Sequence, residues 1–257
     1  MLELNLSLSN LSLVDYTKPK SHAMGRGLYQ FEFHQKTYWL KRQEPNQYDE
    51  LQQSFARELK FYQDHPQLVL PHRIGVDPFL LDQQCLVIVD TNLWFDCCPQ
   101  DLTLKQIRVK IETILDYLQK LYELGILHAD LKHEHLRQHR GDFYLIDFEQ
   151  HQNIYLEPSS NKLTATPRYM APELFHGASK TIESEIYALG IILYEWLTGQ
   201  RLQAKTYQEW GYLHCQRLKV ELPEAYRELN TLIEGMLAKQ KIHRSNNFLA
   251  LKSLLNA

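Results

Sequence analysis

Residues 128–149 read HADLKHEHLRQHRGDFYLIDFE. Asp130 is followed two places on by Lys132 and five places on by His135. A second aspartate, Asp147, stands 17 residues beyond the first. One reading of this stretch is a phosphoryl-transfer loop with unusual residues in it. The competing reading is a histidine-rich surface turn. The sequence on either side decides between them.

Upstream, LKQIRVKIETILDYLQKLYELG (104–125) is a long amphipathic helical pattern ending on Gly125. Before about residue 95 the character changes. LNLSLSNLSLVDY, LYQFEFH and TYWLKRQ are alternating, β-branched or aromatic, and the Gln35-Lys36 step suits a tight hairpin. One helix interrupts, over 48–65. Leu51, Phe55, Leu59 and Tyr62 fall on one face, and Pro66 closes it. CLVIVD (85–90) reads as a strand buried on both faces. Downstream, 126–173 is short strands and loops, and from about 183 the spacing is helical to the C-terminus.

These patterns predict a single α+β domain over 1–257: a strand-rich N-terminal lobe with one main helix (about 1–90), a hinge near 90–95, and a mostly helical C-terminal lobe (about 96–257). Ligands favour the cleft between such lobes.

The chain has 257 residues, 44% hydrophobic and 23% charged, the balance of a globular protein. A net charge of −3 argues against nucleic acid or an anionic membrane as the main partner. Cys85, Cys97, Cys98 and Cys215 include no CxxC pair, which points to a reduced, cytoplasmic setting. Leu2, Leu4, Leu6 and Leu8 alternate with polar residues, as in a strand and unlike a signal peptide. The longest apolar run, YALGIILYEWL (187–197), is too short to span a bilayer.

The succession HADLKHEHL, FYLIDFE, TATPRYMAPE (164–173) and SEIYALGIILYEWLTG (184–199) resembles the eukaryotic-type (Hanks-type) Ser/Thr protein kinases, with their catalytic-loop, DFG and APE elements. TPRYMAPE is its most specific piece. The compact length is similar to the bacterial branch of that family. The resemblance implies a bilobal kinase-like fold, ATP with Mg²⁺ (or Mn²⁺), and a protein substrate.

Residue by residue, it implies that Asp130 accepts the substrate hydroxyl's proton and that Lys132 steadies the γ-phosphate. Asp147 would hold the metal. Lys41, ending TYWLK, would meet the α/β-phosphates with Glu58 as its helix partner. Thr166 would bond back toward Asp130 and Lys132, and Glu173 would pair with Arg244. Gly25 and Gly27 would form the phosphate turn. Val89, Asp90, Thr91 and Asn92 would mark the adenine segment. His128 would be buried in the core against Phe148 and Tyr62.

Five departures stand out. The third glycine of GxGxxG is absent. Ala129 replaces the Arg of HRD, which implies activity independent of an activation-loop phosphate, although Ser159, Ser160 and Thr164 are modifiable residue types. His135 replaces the Asn of the second metal site. It is either a ligand with more taste for Mn²⁺ or Zn²⁺ than Mg²⁺, or a residue hydrogen-bonded within its loop. The spacing of His128, His133, His135 and His139 matches no structural zinc pattern. Glu149 replaces the Gly of DFG, and either adds a carboxylate near the metal or points into solvent. Glu185 replaces an Asp that braces the catalytic loop, so a looser brace is expected. Two rival functions stay open: a pseudokinase scaffold that binds nucleotide without turnover, and a kinase of small molecules or lipopolysaccharide sugars.

Overall fold

The computed structural model describes residues 11–44, 49–76, 84–156 and 165–257. The expected strand at Leu2–Leu8 and the loop positions Ser159, Ser160 and Thr164 lie outside the described residues. The chain divides into two compact units. One comprises residues up to Asn92 together with Arg137–Glu149, and the other comprises Leu93–Leu136 with Gln150–Ala257.

The first unit is built on a five-stranded antiparallel sheet. Its strands are β1 (Val14–Asp15), β2 (Arg26–Phe33), β3 (Lys36–Gln43), β4 (His72–Val76) and β5 (Gln84–Val89), in the order β1-β2-β3-β5-β4. A one-turn helix, α1 (Pro19–His22), joins β1 to β2. The β2–β3 turn falls on His34 (φ 48°) and Gln35 (φ 60°), one residue before the expected step. Both are left-handed, as a two-residue turn matching the strand twist requires.

One sheet face packs Phe31, Tyr38, Leu40, Cys85 and Val87 into a core. The opposite face carries Lys41, which lies across from Leu28 and Leu86. Cys85, Leu86 and Val87 are buried in succession, so β5 is covered on both faces. Helix α2 (Asp49–Asp64) buries Phe55, Leu59 and Tyr62 along its expected face, and also Glu58. A hairpin of Leu136–His139 and Asp142–Leu145 turns on Arg140 and Gly141, both at positive φ, and leads into Asp147.

The second unit is helical. Helix α3 (Leu104–Glu123) starts at a capping box: the Thr103 hydroxyl accepts the Gln106 N–H, and Gln106 Oε1 accepts the Thr103 N–H at 2.8 Å. It buries Ile107, Ile111, Ile114, Leu115, Leu118 and Leu121, and the chain leaves it through Gly125 at φ 73°. Helix α4 (Ile182–Thr198) is buried nearly all round, which makes it the unit's core helix. Gly190 is needed there, because a Cβ would lie 2.9 Å from Leu237.

Helices α5 (Tyr207–Tyr212), α6 (Asn230–Met236) and α7 (Phe248–Asn256) follow. A short antiparallel pair, Ile126–Leu127 with Gln152–Asn153, anchors the loop that begins at His128. No helix among the described residues is long and apolar enough to cross a membrane.

Candidate active site

In the first unit, three carboxylates converge on one nitrogen. Lys41 Nζ lies 2.7 Å from Glu58 Oε2, 2.7 Å from Asp147 Oδ1 and 2.6 Å from Glu149 Oε1. The period-two alternation of β3 aims Lys41 away from the Phe31 core, and the helical period of α2 puts Glu58 on its buried face. The second carboxylate oxygen of Glu58 accepts the Phe148 N–H at 3.2 Å, which fixes the backbone next to Asp147. Phe148 is fully buried, stacked on Phe61 at 3.9 Å and edge-on to Tyr62. Asp147 has φ 67°, an uncommon conformation for a residue with a side chain and one that clusters at functional sites.

Burial alone would pull the Lys41 pKa down. The carboxylates of Asp147, Glu149 and Glu58 outweigh it and hold the ammonium well above its ordinary value. Glu58 is pushed up to about 7, first by burial, against the opposing pull of Lys41. Oxygens of Glu58, Asp147 and Glu149 all lie within 4.8 Å of one another, the donor type a hard divalent cation takes.

For Glu149 the structure decides between the two readings. Its side chain is only 10% exposed, so it does not point into solvent. Arg26, between Gly25 and Gly27, also pairs with Glu149 Oε1, and Arg57 donates to the Glu149 carbonyl at 3.3 Å.

Gly25 adopts φ 74°, and its N–H donates to the His22 carbonyl at 2.9 Å, so that amide closes the local turn. Gly27 is hemmed in, since a Cβ would sit 2.6 Å from the Tyr29 ring. Asp90 accepts from Trp39 Nε1 at 2.6 Å, and its own N–H donates to Thr37. Arg137 donates to both the hydroxyl and the carbonyl of Thr91.

In the second unit, Asp130 is the hub. Its carboxylate lies 2.7 Å from Lys132 Nζ through Oδ2 and accepts the Thr166 hydroxyl at 3.3 Å through Oδ1. The structure thus brings Asp130, Lys132 and Thr166 together, from segments 36 residues apart. His135 is buried, with Nδ1 3.0 Å from the Asp130 carbonyl. If Nδ1 carries the proton for that bond, Nε2 keeps a lone pair, the tautomer a metal ligand needs. His128 is fully buried, with its ring 5.7 Å from that of His135.

The looser brace expected of Glu185 is not what the structure has. Oε1 accepts the His128 N–H at 3.2 Å and Oε2 accepts the Ala129 N–H at 3.0 Å. The extra methylene is accommodated because both oxygens face the loop. Burial pushes the Glu185 pKa up to about 7, and these hydrogen bonds oppose the rise. Glu173 pairs with Arg244, whose side chain is wholly buried and whose other guanidinium nitrogen donates to the Glu183 carbonyl at 2.9 Å.

The family model for the protein kinase domain matches residues 33–255. This chain belongs to the protein kinase domain family. Among its relatives, it is 30% identical to the serine/threonine-protein kinase AtPK2/AtPK19 of Arabidopsis thaliana over 164 residues, 60% of this chain and 33% of that protein. It is 25% identical to the serine/threonine-protein kinase ULK3 of Xenopus laevis over 186 residues, 66% of this chain and 39% of that one. To the probable serine/threonine-protein kinase PknB of Lactococcus lactis subsp. lactis (strain IL1403) it is 37% identical over 97 residues, 35% of this chain and 15% of that protein. The matches to the two Arabidopsis kinases of this kind each span about a third of those proteins.

The kinase domain therefore has the α+β fold expected of it, with a β-sheet N-terminal part and a helical C-terminal part. Three participants escaped sequence reasoning. Arg26 carried a faint signal, its place between two glycines. Arg57, beside Glu58, carried none. Lys180 carried none either: it donates to the Ala129 carbonyl at 2.5 Å from 51 residues downstream.

Proposed function

We propose that this kinase domain transfers the γ-phosphate of ATP to Ser or Thr hydroxyls of a protein substrate. The observation that carries the reading is the Asp130–Lys132–Thr166 cluster, in which a carboxylate is held by a cation and a hydroxyl from the TPRYMAPE segment. In this role Asp130 orients the acceptor hydroxyl and takes its proton. Lys132 lies close enough to Asp130 to neutralise charge gathering beside it. The first unit supplies the nucleotide groups: Lys41, held by Glu58, is the cation for the phosphates.

The carboxylate set around Asp147 fits Mg²⁺ or Mn²⁺, since it is oxygen-rich and, with three carboxylates against Lys41 and Arg26, short of positive charge. Asp147 would hold the ion. When bound, the ion would supply charge neutralisation on the phosphates. The four cysteines are free thiols, in keeping with the cytoplasm as its place of action. A protein substrate, rather than nucleic acid or membrane, accords with the net charge of −3, and we take 1–257 to act as one domain.

A second reading, a nucleotide-binding scaffold without turnover, draws on Glu149, whose carboxylate occupies Lys41 and Arg26 where phosphate would otherwise be met. The TPRYMAPE segment weighs against a sugar or small-molecule acceptor.

The test is transfer from labelled ATP with Mg²⁺ and Mn²⁺ compared, on wild type and Asp130→Asn, with acceptor sites mapped by mass spectrometry. Transfer lost in the variant supports the reading. Transfer that persists in it refutes the role of Asp130, and a folded wild type that binds ATP without transfer supports the scaffold.

A further inference from the structure

The loop carrying Asp130 turns on Ala129, a residue with φ 66° and no side chain able to hold that turn. Both polar groups of Ala129 are instead gripped from one short segment. Its N–H donates to Glu185 Oε2 at 3.0 Å, and its carbonyl accepts from Lys180 Nζ at 2.5 Å. The same Glu185 takes the His128 N–H, so an ammonium and a carboxyl group five residues apart bracket the peptide groups just before Asp130.

Lys180 and Glu185 flank the N-terminal end of α4, the unit's core helix. Glu185 lies in the first turn of that helix, and Lys180 stands just before its N-cap, Thr181. A small cavity of about 30 Å³ lies between them, lined by Ala129, Asp130, Thr166, Lys180 and Glu185 among others. Burial lowers the Lys180 pKa, while Asp130 and Glu185 oppose the fall by favouring the ammonium.

We infer that Lys180 is a positioning residue for phosphoryl transfer: by holding the Ala129 carbonyl in its left-handed turn beside Glu185, it fixes the direction in which Asp130 presents its carboxylate. Lys180 acts through the loop and is not itself a catalytic group. The inference rests on the proposed role of Asp130 for its kinetic consequence, but its structural half stands apart from that role. A left-handed alanine costs about 1 kcal/mol or more and persists only where its surroundings over-determine it. Removing one of two grips should let the loop sample other conformers.

The experiment compares Lys180→Met, which keeps an unbranched chain and loses the charge, with Lys180→Arg, which keeps both the charge and a donor. Three readouts are taken: kcat, KM for ATP, and amide hydrogen exchange across 126–132. In Lys180→Met we expect kcat to fall roughly 10- to 100-fold, in line with the sensitivity of catalysis to small misplacement. KM for ATP should stay within about two-fold, and exchange at His128 and Ala129 should quicken. Lys180→Arg should recover most of the kcat.

Wild-type kcat in Lys180→Met, an equal loss in both variants, or unaltered exchange would overturn the inference. Should Lys180→Met not fold, Lys180→Gln replaces it in the same comparison. Should the wild type transfer no phosphate, the proposed activity falls. The exchange measurement then decides the positioning role on its own: faster exchange upholds the bracket, and unaltered exchange sinks it.

Discussion

Glu149→Gln should tighten ATP binding, an unusual outcome for removing a buried charge from a site. In the structure Glu149 Oε1 lies 2.6 Å from Lys41 Nζ and also pairs with Arg26. Phosphate oxygens arriving at Lys41 must displace that carboxylate or share the cation with it at the cost of like-charge repulsion. A hydrogen bond to a charged group is worth about 1.5–3 kcal/mol net. Solvent screening takes little from this figure, since the two side chains are 18% and 10% exposed.

Relieving the competition should therefore lower the Kd for ATP by roughly 10- to 100-fold, at about 1.4 kcal/mol per tenfold. Lys41 keeps Glu58 and Asp147, so its position should hold. The assay is calorimetric titration with ATP, with and without Mg²⁺, on wild type and variant. An unchanged Kd in both conditions would refute the competition argument. A Kd that rises only with Mg²⁺ would show instead that Glu149 serves the metal.

Three further outcomes are expected. Thr166→Val removes the hydroxyl 3.3 Å from Asp130 and should lower kcat by about tenfold with KM for ATP unaffected, consistent with a lost charge-assisted hydrogen bond; steady-state kinetics with equal kcat would dismiss the contact. Arg244→Met leaves Glu173 without its buried partner and should cost about 3–5 kcal/mol, read by denaturant unfolding; a loss under ~1 kcal/mol would mean the pair contributes little to the fold. Glu185 sits at about 7 against an ordinary 4.5, chiefly through burial, so the folded chain holds a proton that the unfolded chain releases. Its contribution to stability is present below 4.5 and is lost as pH rises through about 7, at most ~3 kcal/mol in all. The fall in Tm between pH 5 and pH 7.5 should accordingly shrink in Glu185→Gln, and an identical fall in both proteins would contradict the buried assignment.

Much of this domain was legible in short-range spacing. The period of two in TYWLKRQ and of 3.6 in DELQQSFARELKFYQD gave β3 and α2, and those periods alone aim Lys41 and Glu58 into buried surroundings. Gly125 marked the end of α3, and the β2–β3 turn was one residue out because His and Gln are not the turn formers that betray left-handed φ. Asp130, Lys132 and Thr166 were named from motif order, and the structure brings them together.

Only tertiary structure decided what the departures do. Glu149 turns inward because Arg26 and Lys41, more than a hundred residues upstream, offer it charge that solvent would otherwise supply. Glu185 reaches two amides despite its added methylene because α4 is fixed by burial on all sides. Lys180 reads as an ordinary surface lysine until folding carries it to the Ala129 carbonyl. Periodicity and motif spacing are properties of neighbours along the chain, so the sequence states them directly. The direction of a charged side chain is set by the nearest opposite charge in space, and that neighbour exists only once the chain has folded.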